Sequence, residues 1–166
     1  MYDKFGEMTV PELNALAENL ANEGDEASLR ALAKENGIPE EYADAYCSGE
    51  TMELVDVTTA AIAKIDMEAE VLNLKELMAD WAEYIRTLCM EENFALAVKS
   101  KEKHLKDCIA KLLIYAFSCM TEVEKPILDA AKKENPKMRA GRVTFGVPGM
   151  ATAKRLIWEY YMEDQA

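Results

Sequence analysis

The stretch VDVTTAAIAKIDMEAEVL, residues 55–72, followed by NLKELMADWAEYIRTL, residues 73–88, decides the fold. In the first part, residues of one helical seam recur at alternating spacings of 3 and 4, namely Val55, Thr58, Ile62, Ile65, Ala69 and Leu72. A second seam follows, formed by Leu74, Leu77, Met78, Trp81, Ile85 and Leu88. The two seams are out of phase, because Leu74 lies about 200° around a helix from Leu72. We expect a break near Asn73 and two antiparallel helices, although one helix that changes its buried face there would also fit.

Two more helices are predicted toward the C-terminus. Residues 105–119 are apolar along one side and also carry large apolar residues on the other, namely Leu113, Ile114 and Phe117. A helix that is apolar nearly all round is typical of the centre of a core, and we predict that position for it. The last helix is predicted from about Ala151 to Glu163, with a core face of Ala153, Leu156, Ile157, Tyr160 and Tyr161.

Three short helices are predicted before residue 50. Thr9-Val-Pro-Glu12 combines a capping box with an early proline, which is a helix start. Asp25 can cap the second helix, and Pro39 opens the third. We therefore divide the chain into an acidic three-helix part, residues 1–50, and a helical core, residues 51–166.

A short β ribbon is predicted in the least regular part of the chain. Val143-Thr-Phe-Gly-Val147 alternates apolar and polar residues, as a strand does, and Thr121-Glu-Val-Glu124 is its nearest candidate partner. Two such short strands need packing support. The predicted fold is therefore mainly α, a helical bundle with a two-stranded β ribbon near residues 121–147.

Charge is distributed unevenly along the chain, whose net charge is −12. Residues 1–92 hold 22 acidic and 6 basic residues, giving 6 − 22 = −16, whereas residues 93–166 hold 9 acidic and 13 basic residues, giving 13 − 9 = +4. Such an acidic part repels nucleic acid and attracts a basic surface. We therefore expect a basic protein partner and no direct nucleic-acid binding. No apolar run is long enough to span a membrane and no secretory signal is evident, so the expected location is the cytoplasm.

The sequence contains no catalytic motif that we can identify, so we expect no enzyme activity, no cofactor and no metal. The four cysteines are widely spaced and are interpreted as buried, reduced thiols. His104 and Cys108 could form a nucleophile pair by spacing, but Cys108 continues an apolar stripe and His104 follows a basic run. We interpret this pair as a core thiol beside a surface imidazole.

A tryptophan and a methionine lie off the core face of the last predicted helix. Trp158 and Met162 are four residues apart and therefore share one side of the helix. An exposed pair of this kind often marks an interface. Together with the seam from Val55 to Leu72, it predicts a homodimer with Trp158 in or near the contact. The alternative is a monomer in which the 121–149 loop covers Trp158.

The C-terminal half resembles a known protein family. The segments LCMEENFALAVKSKEKHLKDCIAKLLIYA, residues 88–116, and GVPGMATAKRLIWEYYMED, residues 146–164, are similar to PcfK-like proteins, which are encoded on plasmids and conjugative elements of gut bacteria. The insertion at 121–146 and the three-helix N-terminal part depart from that pattern. Part of the family resembles inhibitors of type II CRISPR nucleases, so the resemblance implies a phage- or plasmid-borne anti-CRISPR protein without catalytic residues.

An inhibitor of this kind is coherent with the acidic charge, because RNA-guided nucleases hold nucleic acid in basic channels. The predicted partner-binding acidic surface comprises Glu40, Glu41, Asp44, Asp66, Glu68 and Glu70. Two alternatives stay open at this point. One is a conjugation accessory protein that binds DNA or a relaxosome partner through its basic C-terminal part. The other is a helical interaction module without enzyme activity.

Overall fold

The computed structural model describes residues 3–139 and 141–163; Asp164, at the end of the second segment that resembles PcfK-like proteins, lies outside them. The element order is α1 Val10–Asn22, α2 Glu26–Glu35, α3 Glu40–Cys47, α4 Val57–Val71, α5 Leu77–Leu88, α6 Glu92–Val98, α7 Leu105–Ser118, β1 Thr121–Glu122, α8 Lys125–Glu134, β2 Thr144–Phe145 and α9 Met150–Met162. The prediction of a mainly α protein with one short ribbon is confirmed.

The first three helices form a core of their own, which we call the N-terminal unit. The Glu12 carboxylate accepts a hydrogen bond of 2.8 Å from the Thr9 N–H, and the Asp25 carboxylate accepts one of 3.0 Å from the Ser28 N–H, so both predicted helix starts are confirmed. Its buried residues are Leu13, Ala17, Leu20, Leu29, Leu32, Ala33, Ile38, Ala43, Leu54, Val55 and Ala60. This core therefore extends past residue 50 and takes its last side chains from the start of α4.

The predicted break between the two central helices is confirmed. α4 ends at Val71, and Asn73 adopts φ 48°, a left-handed conformation that stops a helix. α5 packs back on α4, with Asp66 Oδ1 2.9 Å from Arg86 Nε across the pair. The seam from Val55 is used only in part: Val55 and Ile65 are buried, but Leu72 is exposed. The buried face of α4 also includes Ala60, Ala61 and Ala63, which lie outside the seam.

A second core, which we call the bundle, is formed by α4, α5, α6, α7 and α9. α4 contacts α6, α5 and α7, and α9 packs on α6 and α7. The inner side of α7 is fully buried through Leu105, Cys108 and Leu112, but its outer side is not covered. The prediction of a central, enclosed α7 is therefore wrong for that side, since Leu113, Ile114 and Phe117 are more than half exposed.

The two strands pair antiparallel, with Thr121 opposite Phe145 and Glu122 opposite Thr144. Gly146 lets the ribbon lie directly on the end of α7, because a Cβ at that position would overlap the carbonyl oxygen of Ala116. Within the described residues, no helix combines the length and the apolar character needed to cross a membrane.

Candidate functional site

The predicted acidic surface is distributed over two helices. Glu40 and Glu41 lie exposed in the first turn of α3, and Asp44 lies one turn later on the same helix. Asp66 and Glu70 lie exposed on α4. The turn before α3 is seated on α4, since a Cβ on Gly37 would lie 2.8 Å from Met67 Cγ. The structure thus places these five carboxylates on adjoining elements, at the outside of the molecule.

Two of the five carboxylates already have a cationic partner. Asp44 forms an ion pair with Arg30, and Asp66 forms the pair with Arg86 described above. Burial raises the pKa of the Asp66 carboxyl, and the nearby Arg86 opposes that rise. Glu40, Glu41 and Glu70 have no ion pair among the residues that the structure describes. These three are therefore the carboxylates available to a basic partner.

Glu68 does not belong to this surface, and its prediction as a partner-binding residue is corrected. Its side chain is buried on the inner side of α4, only 7% exposed. Its Oε2 accepts a 2.5 Å hydrogen bond from the N–H of Leu105, the first residue of α7. A carboxylate at a helix N-terminus satisfies an unpaired donor and the positive end of the helix dipole. Glu68 therefore caps α7 from a neighbouring helix.

Beside Glu68 lies a fully buried lysine, Lys64. Its Nζ is 2.5 Å from Glu7 Oε1, 4.0 Å from Glu68 Oε1 and donates a 2.8 Å hydrogen bond to the Ser100 carbonyl. Glu7 comes from the segment before α1, Glu68 from α4 and Ser100 from the loop before α7. The ammonium thus connects the N-terminal arm to two parts of the bundle. We call Lys64, Glu7, Glu68, His104 and Lys99 the ion cluster.

Lys99 is the member of the ion cluster whose charge is least compensated by its neighbours. Its side chain is 2% exposed, and its Nζ has no hydrogen-bond partner among the described residues. Burial, reinforced by repulsion from Lys64, lowers the pKa of Lys99 to about 8, although Glu7 and Glu68 act in the opposite direction. A charged lysine at this place lowers the stability of the fold.

Three members of the ion cluster could in principle ligate a metal. Glu7, Glu68 and His104 each offer one ligand atom, and these atoms lie within 4.8 Å of one another. Carboxylate and imidazole ligands suit zinc and similar divalent cations. Lys64 and Lys99 already supply two positive charges for the two carboxylates, so a dication would leave its own charge uncompensated in a buried place. The chemistry of the set therefore favours a structural ion cluster over a metal centre.

The cysteine and histidine candidates do not form a nucleophile pair. Burial raises the pKa of Cys108 to about 12, so the thiol is far from the thiolate that nucleophilic attack requires. The His104 ring instead faces Glu68, with Nδ1 3.3 Å from Glu68 Oε1. All four cysteines are free, and Cys89 and Cys108 are buried as predicted. Cys119 is exposed and Cys47 half-buried, so the prediction of burial is wrong for Cys119.

Trp158 and Met162 are placed differently from each other. Trp158 is 43% exposed and stacks on Phe94, with ring centroids 5.6 Å apart and an interplanar angle of 28°. Met162 is half-buried and packs against the bundle core. The role of the pair in self-association stays a prediction. Trp158 already stacks on Phe94 within the chain, yet part of its ring stays exposed.

The ion cluster was missed from the sequence, although a signal for it exists. Lys64 and Glu68 lie four residues apart and in line with the buried Ala60 and Ala61, so the spacing places both on an inner face of the helix. Lys99 directly follows the buried run that ends at Val98.

Comparisons of this chain with protein-family models, with curated proteins and with solved structures find no match.

Proposed function

We propose that the protein is a mobile-element-encoded, non-enzymatic inhibitor of a type II CRISPR RNA-guided nuclease, acting in the cytoplasm by occupying a basic surface of that nuclease. The observation that carries the proposal is the exposure of the acidic charge. Of the 22 acidic residues among residues 1–92, only Glu7, Asp25, Glu35 and Glu68 are buried or half-buried, which leaves 22 − 4 = 18 exposed.

Exposed carboxylates at this density suit a partner that normally holds phosphates. The nucleic-acid channels of RNA-guided nucleases are lined with lysine and arginine, and electrostatic steering accelerates the approach of an acidic protein to such a surface. An inhibitor that acts by occupying the nucleic-acid channel of a nuclease needs no catalytic side chain. The high pKa of the buried Cys89 and Cys108 thiols, about 12 for each, is in keeping with a binding protein.

The resemblance to PcfK-like proteins gives the second support. Its two segments, residues 88–116 and 146–164, are separated by 29 residues of the chain, yet they supply most of α6, α7 and α9, and α9 packs on both of the others. The insertion between them, residues 121–146, forms the ribbon and α8 at one end of this arrangement. The segments that resemble the family are therefore parts of one core, as a shared fold requires.

The decisive experiment is a DNA-cleavage assay with purified, guide-loaded type II nucleases. Wild-type protein is expected to stop cleavage by at least one of them, with inhibition weakening as salt is raised. The variant Glu40→Lys, Glu41→Lys, Glu70→Lys changes only unpaired carboxylates and is expected to weaken inhibition about tenfold or more. Lysine in the first turn of α3 also slightly opposes the helix dipole, so far-UV circular dichroism must show unchanged helicity.

A matched variant separates the acidic surface from total charge. Glu124→Lys, Asp129→Lys, Glu134→Lys removes the same charge from exposed positions in and beside α8 and is expected to inhibit like wild type. Equal loss in both variants would make net charge, rather than this surface, the cause. Absence of inhibition across the nucleases, together with a gel shift of plasmid DNA, would favour the conjugation accessory protein instead.

A further inference from the structure

The segment from the end of α2 to the first half of α4 carries acidic charge without any basic residue. Residues 35–63 hold seven carboxylates and no lysine, arginine or histidine. Glu50 and Glu53 lie exposed in the loop between α3 and α4, and neither has an ion pair among the residues that the structure describes. Together with Glu40 and Glu41 on α3, they leave four carboxylates of this segment free for a cationic partner.

The same loop presents a methionine almost completely to solvent. Met52 is 97% exposed, more than any other large hydrophobic side chain among the described residues. Leu54 and Val55, which follow it closely, are buried in the core of the N-terminal unit. The loop is therefore attached to the unit by its own apolar side chains while it holds Met52 outward.

Hydrogen bonds fix both ends of this loop. At its start, the N–H of Glu50 donates a 2.9 Å hydrogen bond to the Ala45 carbonyl. At its end, the Asn14 side-chain amide donates a 3.0 Å hydrogen bond to the Val55 carbonyl and accepts one of 3.2 Å from the Val55 N–H. A loop that is already ordered loses little conformational entropy when a partner binds, so Met52 is presented in a form ready for contact.

A shallow groove of about 350 Å³ lies beside Met52, and we call it the Met52 groove. It is lined by Tyr42 on α3 and by loop residues 51–56, and most of its lining is apolar. Glu53 and Asp56 are part of the lining, so carboxylates border the same groove as the methionine. Small-ligand pockets occupy roughly 300–1,000 Å³. The Met52 groove is at the lower end of that range and has room for the side chains of a short peptide segment.

We propose that the Met52 groove binds a basic segment of a protein partner and that this segment places an apolar side chain against Met52. Charge complementarity defines the partner, because lysines and arginines meet carboxylates and no like charge over residues 35–63. The apolar side chain of the partner covers the methionine, whose unbranched thioether side chain adapts to different shapes. Nucleic acid and acidic proteins are repelled by the same charge.

The proposed function supplies a partner of this chemistry, because an RNA-guided nuclease holds nucleic acid in positively charged channels. In naming the nuclease as the partner, the inference rests on that proposed function. In naming the chemistry of the partner, it does not. The test therefore uses peptides of known composition as well as the nuclease, so that the two proposals can fail separately.

Fluorescence anisotropy of labelled peptides with the full chain tests the chemistry of the partner. The first peptide carries leucines flanked by lysine and arginine. The second has serine in place of each leucine, and the third has glutamine in place of each lysine and arginine. The first peptide is expected to bind wild-type protein about tenfold more tightly than either of the others, because it alone combines an apolar side chain to bury with positive charge.

Two substitutions at Met52 distinguish an apolar contact from attraction by charge alone. Met52→Glu adds a carboxylate, so charge alone would strengthen binding of the first peptide, whereas loss of the apolar contact is expected to weaken it about tenfold. Met52→Ser removes the apolar contact without adding charge and is expected to weaken binding as well. Met90→Glu adds the same charge at an exposed methionine between α5 and α6 and is expected to bind like wild type. The exposure of Met52 means that its variants should melt at the wild-type temperature.

Three peptide results overturn the proposal: stronger binding by Met52→Glu, equal binding of the first and second peptides, or no binding of the first peptide. Self-association of the wild type that Met52→Ser abolishes also overturns it, since the groove then belongs to a second copy, whose residues 125–142 hold six basic and two acidic residues.

The nuclease assay separates this inference from the proposed function. Met52→Ser is expected to weaken inhibition of the nuclease about tenfold. Equal inhibition by wild type and Met52→Ser would overturn the role of the Met52 groove and leave the proposed function standing. Tight binding of the first peptide without inhibition of any nuclease would overturn the proposed function and support the groove.

Discussion

The N-terminal unit and the bundle close their cores in different ways. Among the described residues, Met52 is the only large hydrophobic side chain exposed before residue 61, whereas the fourteen others lie between Val71 and Trp158. The N-terminal unit is also the acidic region: residues 1–56 hold 14 acidic and 3 basic residues, giving 3 − 14 = −11, whereas residues 57–166 hold 17 acidic and 16 basic residues, giving 16 − 17 = −1. One region therefore meets solvent with charge, and the other with uncovered apolar side chains.

This difference separates two kinds of contact within one small protein. A charged surface acts at long range and depends on salt, and it suits the nuclease contact that we propose. An apolar surface acts only at contact distance and depends little on salt. The ion cluster lies where the two regions meet, because Glu7 precedes the first helix of one region and Lys64 belongs to the central helix of the other.

The largest effect is expected from breaking that junction. Lys64→Met keeps the side-chain volume but leaves Glu7 and Glu68 without their cation in a buried place. Removing one partner of a buried ion pair costs about 3–5 kcal/mol, so the variant should lose that much free energy of unfolding in urea titration at pH 7. Because Lys64 connects both regions, the loss should affect the stability of both together.

The matched control for Lys64→Met is Lys75→Met, which makes the same change at an exposed lysine in the loop between α4 and α5. It should change stability by less than about 0.5 kcal/mol. Equal stability of both variants would contradict the ion cluster described here.

The next effect sharpens the contrast between covered and uncovered apolar residues on one helix. Leu112 is fully buried, whereas its neighbour Leu113 is 55% exposed. Leu112→Ala should cost about 2–5 kcal/mol, because it leaves a cavity in the bundle core. Leu113→Ala should cost less than about 1 kcal/mol, because its side chain is already largely in water. Thermal unfolding of the two variants measures both losses of stability, and a similar loss in the two would refute the orientation of α7.

The helices themselves could be predicted from the sequence because their signals are local. Thr9 with Glu12 and Asp25 mark helix starts through their own side chains, and the phase change between Leu72 and Leu74 correctly placed a break at Asn73. The ribbon followed from the alternation around Phe145. Each of these signals acts within a few residues, so no knowledge of the tertiary structure was needed.

The candidate site could be predicted only in part, because burial is decided by neighbours far along the chain. The sequence shows that Phe117 is apolar, and the helical period shows on which side of α7 it lies. Neither shows whether another element covers that side. Glu68 resembles its exposed acidic neighbours in sequence, and only its contact with Leu105, 37 residues later, makes it a helix cap. Lys99 is buried by the same long-range packing, which composition alone does not report.

The smallest effect concerns Lys99, whose Nζ has no hydrogen-bond partner among the described residues, whereas Lys64 is paired. Burial lowers the pKa of Lys99 from 10.5 to about 8, so between these values the unfolded chain binds more protons than the folded one. The free energy of unfolding therefore rises with pH across that window. The destabilisation caused by the charged Lys99 ammonium is complete below about pH 8 and is absent above about 10.5. Lys99→Met removes the cost and should be more stable than wild type at pH 7, by on the order of 2–3 kcal/mol.

That advantage of Lys99→Met should shrink as pH rises, to about a quarter of its pH 7 value by pH 10, which urea titrations at pH 7, 8.5 and 10 would measure. The raised pKa values of Cys89, Cys108 and Tyr160, each about 12, lower the stability of the folded state above about pH 9. That loss is common to wild type and Lys99→Met, so it cancels in the difference between them.

Lys75→Met, compared with wild type in the same way, should show a difference that does not change with pH. A constant advantage for Lys99→Met would mean that packing, and not the charge of Lys99, separates the variant from wild type; a less stable variant at pH 7 would mean that the ammonium has a partner after all.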